Sequence, residues 1–303
     1  MVGRLEGKNA IITGAAGGVG LESTILFLQH GASVLMTDIN NAALERALTK
    51  VRSAVPNPTG KVETKVVDVS KEEQVEAAVT HLDSWGGVDV MFNNAGIMHP
   101  KDGDSEECPD SIWDLTFDIN VKGVWYGSKH AVRSLRKHGK TKGSIINTAS
   151  MVAIVGAATP QVAYTASKGA VLAYTREMAI VHAREGELKL PLQLAVSCTT
   201  QVSPQYRRLV PFTSTLFTNV VVPISTPMLQ EFLGDDKAKR FRREVHFPTG
   251  RFGEAIEQAQ AAVFLASDES SFVNAHDFVV DGGLTKAYVT PEGPATQAPK
   301  NQT

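Results

Sequence analysis

The sequence predicts an α/β fold: a doubly wound parallel sheet with helices on both faces. Three observations predict it. Short apolar runs of strand length alternate with longer amphipathic stretches along most of the chain, and that alternation builds a parallel sheet covered on both sides. The first run passes directly into a glycine-rich loop and then a helix. The polar residues of interest, the loop at Gly14, Asn93 and Ser150, all fall at strand C-terminal ends, where such sheets bind ligands.

Lys8-Asn9-Ala10-Ile11-Ile12 reads as a buried strand. Thr13-Gly14-Ala15-Ala16-Gly17-Gly18-Val19-Gly20 follows, then a helix from Leu21 to Gln29 closed by His30-Gly31. Strand, glycine loop and helix in this order form the context of a dinucleotide-binding turn. Glycines let the backbone approach a pyrophosphate, and the helix start offers free N–H groups and a positive dipole end. The next strand, Ala32 to Thr37, ends in Asp38. An acid at this distance is placed to bind the adenosine ribose hydroxyls. Asp38 therefore predicts NAD as cofactor, with NADP less favoured. The carboxylate repels a 2′-phosphate, and no arginine stands at Gly17 or directly after Asp38 to pair with one.

Glu72 to Ser84 carries Val75, Ala78, Val79 and Leu82 at helical spacing. Val88 to Phe92 reads as the fourth strand and Gly143 to Ser150 as the fifth. Ser111 to Leu135 contains a long helix with Asn120 in it, and Ala166 to His182 is the helix bearing Lys168. Leu229 to Val245 is charged and helical. Its Lys237, Lys239, Arg240, Arg242 and Arg243 are diluted by Glu231, Asp235, Asp236 and Glu244, which favours a solvated face over a nucleic-acid patch. Glu254 to Ser267 is a final helix with an alanine face suited to close packing.

The reactive chemistry is read from Tyr164-Thr165-Ala166-Ser167-Lys168, with Ser150 fourteen residues upstream. Residues four apart on a helix share one face. An ammonium beside a phenol favours the phenolate and lowers a pKa that is ordinarily near ~10. Such a tyrosine is a working general acid/base. The spacing alone arises by chance in many proteins; the dinucleotide-type N-terminal half gives it weight.

Together these motifs resemble the short-chain dehydrogenase/reductase family in its single-domain form. Thr13 to Gly20 has that family's T-G-x-x-x-G-x-G spacing, which implies cofactor contacts at Gly14, Gly18, Val19 and Gly20. Asp68-Val69 matches the end of the third strand, where members hold the adenine ring. Asn93-Asn94-Ala95-Gly96 matches N-N-A-G and adds Asn94, Ala95 and Gly96 to the expected cofactor site. Asn120 stands at the family's active-site asparagine, and Ser150 at its catalytic serine. Asp281-Gly282-Gly283 matches the close of the last strand. The resemblance covers about residues 5 to 186 and 216 to 290.

It implies a single Rossmann-like catalytic domain over 1–290 and a reaction between a secondary alcohol and a ketone. Tyr164 would be the general acid/base, and Ser150 would hold the substrate oxygen. Lys168 would also bind the nicotinamide ribose, and Asn120 would hold a proton-relaying water. Thr226 would bind the nicotinamide carboxamide. Met98, His99, Met151, Val152 and Ala158 suggest a mainly apolar pocket for a mid-sized alcohol or ketone. An NADPH-dependent ketoreductase and an inactive dinucleotide-binding relative are the alternatives. Family members pair through helices matching Ser111–Leu135 and Ala166–His182, which implies a homodimer or homotetramer.

One stretch departs from the pattern. Residues 187–215 intervene before the sixth strand, with Pro191, Pro204 and Pro211 and no clear period. The strand restarts at Leu216 and runs to Pro223, where Ile224 replaces the family's glycine. The insert reads as a surface loop, a substrate lid, or a translated intron or faulty gene model. The last is favoured, because the interruption falls within a motif and long structureless loops in compact domains are uncommon.

Composition adds exclusions. A net charge of −2 gives no electrostatic case for nucleic acid or anionic membrane. The two cysteines, Cys108 and Cys198, have no metal spacing, and no residue cluster suggests a metal site. No signal peptide pattern precedes the first strand and no apolar run approaches the ~20 residues of a membrane span, so the expected location is cytoplasmic. The tail 291–303, with Pro291, Pro294 and Pro299, is expected to be disordered.

Overall fold

The computed structural model describes residues 3–157, 159–182, 213–221 and 234–286, with the backbone alone for 213–221, 239 and 242. Seven strands form one parallel sheet: β1 (Asn9–Thr13), β2 (Ser33–Asp38), β3 (Val62–Val66), β4 (Val90–Asn93), β5 (Lys142–Ser150), β6 (Thr213–Val221) and β7 (His276–Val280). Their order is β3-β2-β1-β4-β5-β6-β7. The chain winds outward from β1 to β3, then returns to begin again at β4, so the order reverses between β1 and β4. A crevice outside the strand C-termini opens at such a reversal.

Among the described residues the α-helices are α1 (Gly18–Gln29), α2 (Asn41–Ala54), α3 (Glu72–His81), α4 (Asp110–Phe117), α5 (Gly123–Lys137), α6 (Val162–His182), α7 (Lys237–Glu244) and α8 (Ala255–Ala266). Successive strand residues point to opposite faces, and the buried side chains sort accordingly. Ile12, Met36, Phe92 and Ile146 pack with Phe27, Leu44, Val51 and Ala262 from α1, α2 and α8. Ile11, Leu35, Met91 and Ile145 pack on the other face with Val75, Val79, Ala131 and Ala179 from α3, α5 and α6. Burial on both faces explains why the strands read as continuous apolar runs rather than alternating ones. The alanines of α8 let it lie against α1. No helix among the described residues is long and apolar enough to cross a membrane.

Two expectations need correction. The sixth strand starts at Thr213, inside the stretch read as an insert, with Thr213, Ser214 and Thr215 paired to Lys142, Gly143 and Ser144. The nine-residue β5 offers ladder partners along its whole length, and β-branched threonines suit a strand although they carry no apolar period. Residues 187–212 lie outside the described residues, as do Pro223, Ile224, Thr226 and the tail. The second correction concerns the long helix expected over Ser111–Leu135. It is two α-helices joined by a π-helical turn, Asp118–Lys122, with Asn120 at its centre. Such turns add one residue to the helical ring and mark functional sites.

Ion pairs tie the helices at their rims. Lys129 and then His130 hold the Glu72 carboxyl below its ordinary pKa, His138 and then Lys137 do the same for Asp83, and Arg251 holds Glu257 down to about 2. A carboxylate whose folded pKa is depressed adds stability above its unfolded pKa and loses it as pH falls toward the folded value. Through these carboxylates the melting temperature should fall as the pH drops below about 4.5. Glu257→Gln should flatten that fall. A variant that follows the wild-type curve in a pH-resolved melting series would refute the assignment.

Candidate active site

The C-terminal ends of β1 and β4 are bound to each other. The Thr13 hydroxyl accepts the N–H groups of Asn94 and Ala95, both at 3.0 Å. The Asn94 amide donates to the carbonyls of Thr13 at 3.0 Å and Gly14 at 3.3 Å. Gly14 has φ +65°, and a Cβ there would lie 3.0 Å from the Ala95 Cα. Only glycine combines that backbone angle with that approach. A Cβ on Gly20 would run into the Gly14 carbonyl, so the first turn of α1 also rests on the loop. Gly18 has a positive φ as well, 53°. Beside it, Val19 is buried at 7% exposure.

Asp38 ends β2 beside this loop. Its Oδ2 accepts the Ala16 N–H at 3.2 Å and its Oδ1 accepts the Asn40 N–H at 3.0 Å. Gly17 precedes α1 in extended conformation, no side chain caps the helix, and nothing lies within 4 Å of where a Gly17 Cβ would stand. An uncapped helix start, open backbone at Gly17 and a carboxylate at the next strand end fit a dinucleotide. Asp68 turns its Oδ1 onto the N–H and hydroxyl of Ser70, at 2.9 and 2.7 Å. Val69 lies against the start of α5, where a Gly123 Cβ would meet its Cγ2 at 2.9 Å.

The second cluster adjoins the first. Ser150 is the last residue of β5 and is 6% exposed. Its hydroxyl stands beside the phenol of Tyr164, in the first turn of α6, where it favours the phenolate. Lys168 lies one turn further and is 3% exposed. Its Nζ donates to the Thr148 carbonyl at 2.8 Å and stands 5.8 Å from the centre of the Tyr164 ring. Asn120 is fully buried. Its Oδ1 accepts the Ile97 N–H at 2.8 Å, and its Nδ2 donates to the Ile97 carbonyl at 2.9 Å and to Ser167 Oγ at 3.0 Å. A Cβ on Gly96 would lie 3.1 Å from Asn120 Oδ1 and 3.2 Å from Lys168 Nζ. One backbone position thus joins the N-N-A-G turn, the π-helical turn and the tyrosine helix. Thr226 falls outside the described residues.

Comparison with known proteins identifies the family. The family model for short chain dehydrogenases matches residues 8–200, and a second model, described as enoyl-(acyl carrier protein) reductase, matches 219–285. The chain belongs to the short-chain dehydrogenase/reductase family. A cyclopentanol dehydrogenase of Comamonas is 34% identical over 94% of this chain and 99% of its own. A 3-oxoacyl-[acyl-carrier-protein] reductase of Thermotoga maritima is 34% identical over 93% and 99%. Levodione reductase superposes with a TM-score of 0.78 at 30% identity, covering 93% of this chain and 99% of that one. Short-chain dehydrogenases/reductases are oxidoreductases with a Rossmann-type sheet, and this chain has that sheet in parallel order.

Within this family member, the electrostatics depart from one expectation. The Tyr164–Lys168 spacing predicts that the ammonium lowers the phenol pKa. Burial instead pushes the phenol up, and the neighbouring Ser150 hydroxyl only partly opposes it. Burial also lowers the Lys168 ammonium to about 8. The reason is that desolvation penalises either charged form, while the ammonium spends its hydrogen bond on the Thr148 carbonyl rather than on the phenol.

Several residues to which sequence reasoning gave no role support the site. Ser167 bridges Asn120 to the Tyr164 carbonyl, which accepts its hydroxyl at 2.7 Å. Asn93 donates to Asn147 at 2.8 Å and to Ser128 at 3.2 Å, and Asn147 donates to Thr175 at 2.9 Å. Asn147 has a usable signal, since a buried amide in an apolar strand requires partners. Met98, His99, Met151 and Val152 are half-buried, Met151 against the core, and Ala158 is outside the described residues. Among the described residues, no group of three or more His, Cys, Asp or Glu side chains is arranged to hold a metal ion.

Proposed function

We propose that this chain is an NAD-dependent oxidoreductase that interconverts a secondary alcohol and a ketone. The observation that carries the reading is the convergence of Ser150, Tyr164, Lys168 and Asn120 beside the loop at Gly14. When bound, the nicotinamide accepts or returns the hydride. Gly14, Gly18, Val19 and Gly20 receive the pyrophosphate, Asp38 the adenosine ribose, and Asp68 and Val69 the adenine side. Asn94, Ala95 and Gly96 line the nicotinamide side, with Lys168 on the ribose.

In the oxidative direction Tyr164 takes the hydroxyl proton of the alcohol. Ser150 donates a hydrogen bond to the substrate oxygen where charge develops. Lys168 supplies positive charge close to the phenol and a route for the proton to leave, with Asn120 bordering that route. The half-buried Met98, Met151 and Val152 favour an apolar substrate, and the likeness to a cyclopentanol dehydrogenase supports an alicyclic alcohol or ketone. Turnover of NAD with cyclopentanol and a panel of larger secondary alcohols tests the reading; no turnover of any of them, with intact NADH binding, would point to an inactive relative.

Cofactor choice follows from Asp38. Its carboxylate already holds the Ala16 and Asn40 N–H groups, so it is fixed where a 2′-phosphate would come. NADH should bind at least about tenfold tighter than NADPH, a difference of ~1.4 kcal/mol. Fluorescence titration reads both constants, and equal or tighter NADPH binding would sink the claim.

Assembly belongs to the same reading. Trp113 on α4 and Trp125 on α5 are 40% and 43% exposed, large apolar surfaces that a two-fold partner would cover. Light scattering at micromolar concentration should give a dimer or tetramer, and a monomeric mass would count against pairing through these helices.

A further inference from the structure

The helix that carries Tyr164 is capped from a distant part of the chain. The Val162 N–H donates to the Gly103 carbonyl at 3.1 Å. The Ala163 N–H donates to Asp102 Oδ1 at 3.1 Å, and the Tyr164 N–H donates to Asp102 Oδ2 at 2.8 Å. One half-buried carboxylate therefore uses both oxygens on consecutive donors of the first turn, and the neighbouring carbonyl takes a third. Helix starts are ordinarily capped by the residue just before the first turn. Here the cap lies 62 residues from Tyr164 in sequence.

The loop that supplies it leaves β4 through the N-N-A-G turn. Ile97, in the same loop, holds both ends of the Asn120 side-chain amide. A turn closed by the Asp102 N–H on the His99 carbonyl, at 2.9 Å, sets Asp102 in place. The segment from Ile97 to Gly103 thus grips two of the four site residues, Asn120 by its side chain and Tyr164 by its backbone.

We propose that Asp102 is a positioning residue for the reaction: its carboxylate sets the first turn of α6 so that the Tyr164 phenol meets Ser150 and the substrate oxygen. This role rests on the reading of Tyr164 as the proton carrier. Its physical basis is that hydrogen bonds to an ionised acceptor are short and strong, and that a negative group at a helix start is favoured by the helix dipole. A tyrosine in the first turn has no preceding turn to hold it, so the cap sets its direction. A small misplacement of a reacting group is costly in rate.

The full chain is compared with Asp102→Ala, Asp102→Asn and Tyr164→Phe. The reaction is reduction of 2,2,2-trifluoroacetophenone by NADH, an electron-poor ketone that accepts hydride readily. Asp102→Ala should lower kcat about tenfold at temperatures well below its Tm. Its NADH Kd should stay within about twofold of wild type. Asp102→Asn keeps one acceptor oxygen and should recover part of the rate. Because it is nearly isosteric, it carries the test if the alanine variant folds poorly.

A lower Tm with wild-type kcat per NADH-binding site in both Asp102 variants would mean a structural cap only, and would overturn the proposal. Tyr164→Phe separates the two readings. If it is inactive while both Asp102 variants keep wild-type kcat, the positioning role alone fails. If it retains the wild-type rate, the reading of the site fails and the positioning role falls with it.

Discussion

Replacing Tyr164 by phenylalanine should cut turnover by about 10²–10⁴-fold, the range that general acid/base catalysis supplies. The change removes one oxygen and leaves the ring in its place above Lys168. Ser150 loses the phenol oxygen beside it, and the backbone bonds of Tyr164 to Asp102 and Ser167 are untouched. NADH binding should therefore stay within about twofold. Stopped-flow turnover and fluorescence titration on the same preparation read both quantities. A variant keeping more than about a tenth of the wild-type rate would remove Tyr164 from its role.

Lys168→Ala is expected to be as damaging and to differ in kind. The side chain is almost fully buried, and its Nζ hydrogen bond to Thr148 ends with it. Turnover should fall by about 10²-fold or more, and the cofactor Kd should rise about tenfold, because the same ammonium is proposed to serve the phenol and the ribose. Unchanged cofactor affinity would refute the second part. A pH-resolved melting series gives an independent check. Burial sets the folded Lys168 pKa at about 8, below its ordinary 10.5. Between those values the unfolded chain binds the extra proton, so this group makes stability rise with pH. The variant should lack that rise.

Both of these residues are legible in the amino-acid sequence alone. Local spacing points to Gly14, Asp38, Tyr164 and Lys168, the family resemblance adds Asn94, Asn120 and the role of Ser150, and the alternation of strands and helices implies the parallel sheet. Asn120 shows the limit of such reading. Its place in the chain is plain, but a helical period cannot reveal the added residue of a π-helical turn, which alters the ladder rather than the apolar pattern. The start of β6 shows another limit. Thr213-Ser214-Thr215 has no apolar signal, and its strand character comes from the partners that β5 offers. Asp102 has no signal at all, since a carboxylate in a polar loop looks like any other until the helix it caps is brought beside it.

The sequence by itself determined the fold class and the family, and it proposed the dinucleotide loop, the acid at Asp38 and the Ser150, Tyr164 and Lys168 group. Each is written in residues a few positions apart or in a backbone period. Only the tertiary structure decided that Asn120 is held by Ile97 and Ser167, that Asp102 caps the tyrosine helix, and that burial rather than the neighbouring ammonium governs the Tyr164 phenol. Those outcomes depend on desolvation and on hydrogen bonds between residues far apart in the chain, and neither exists until the chain has folded.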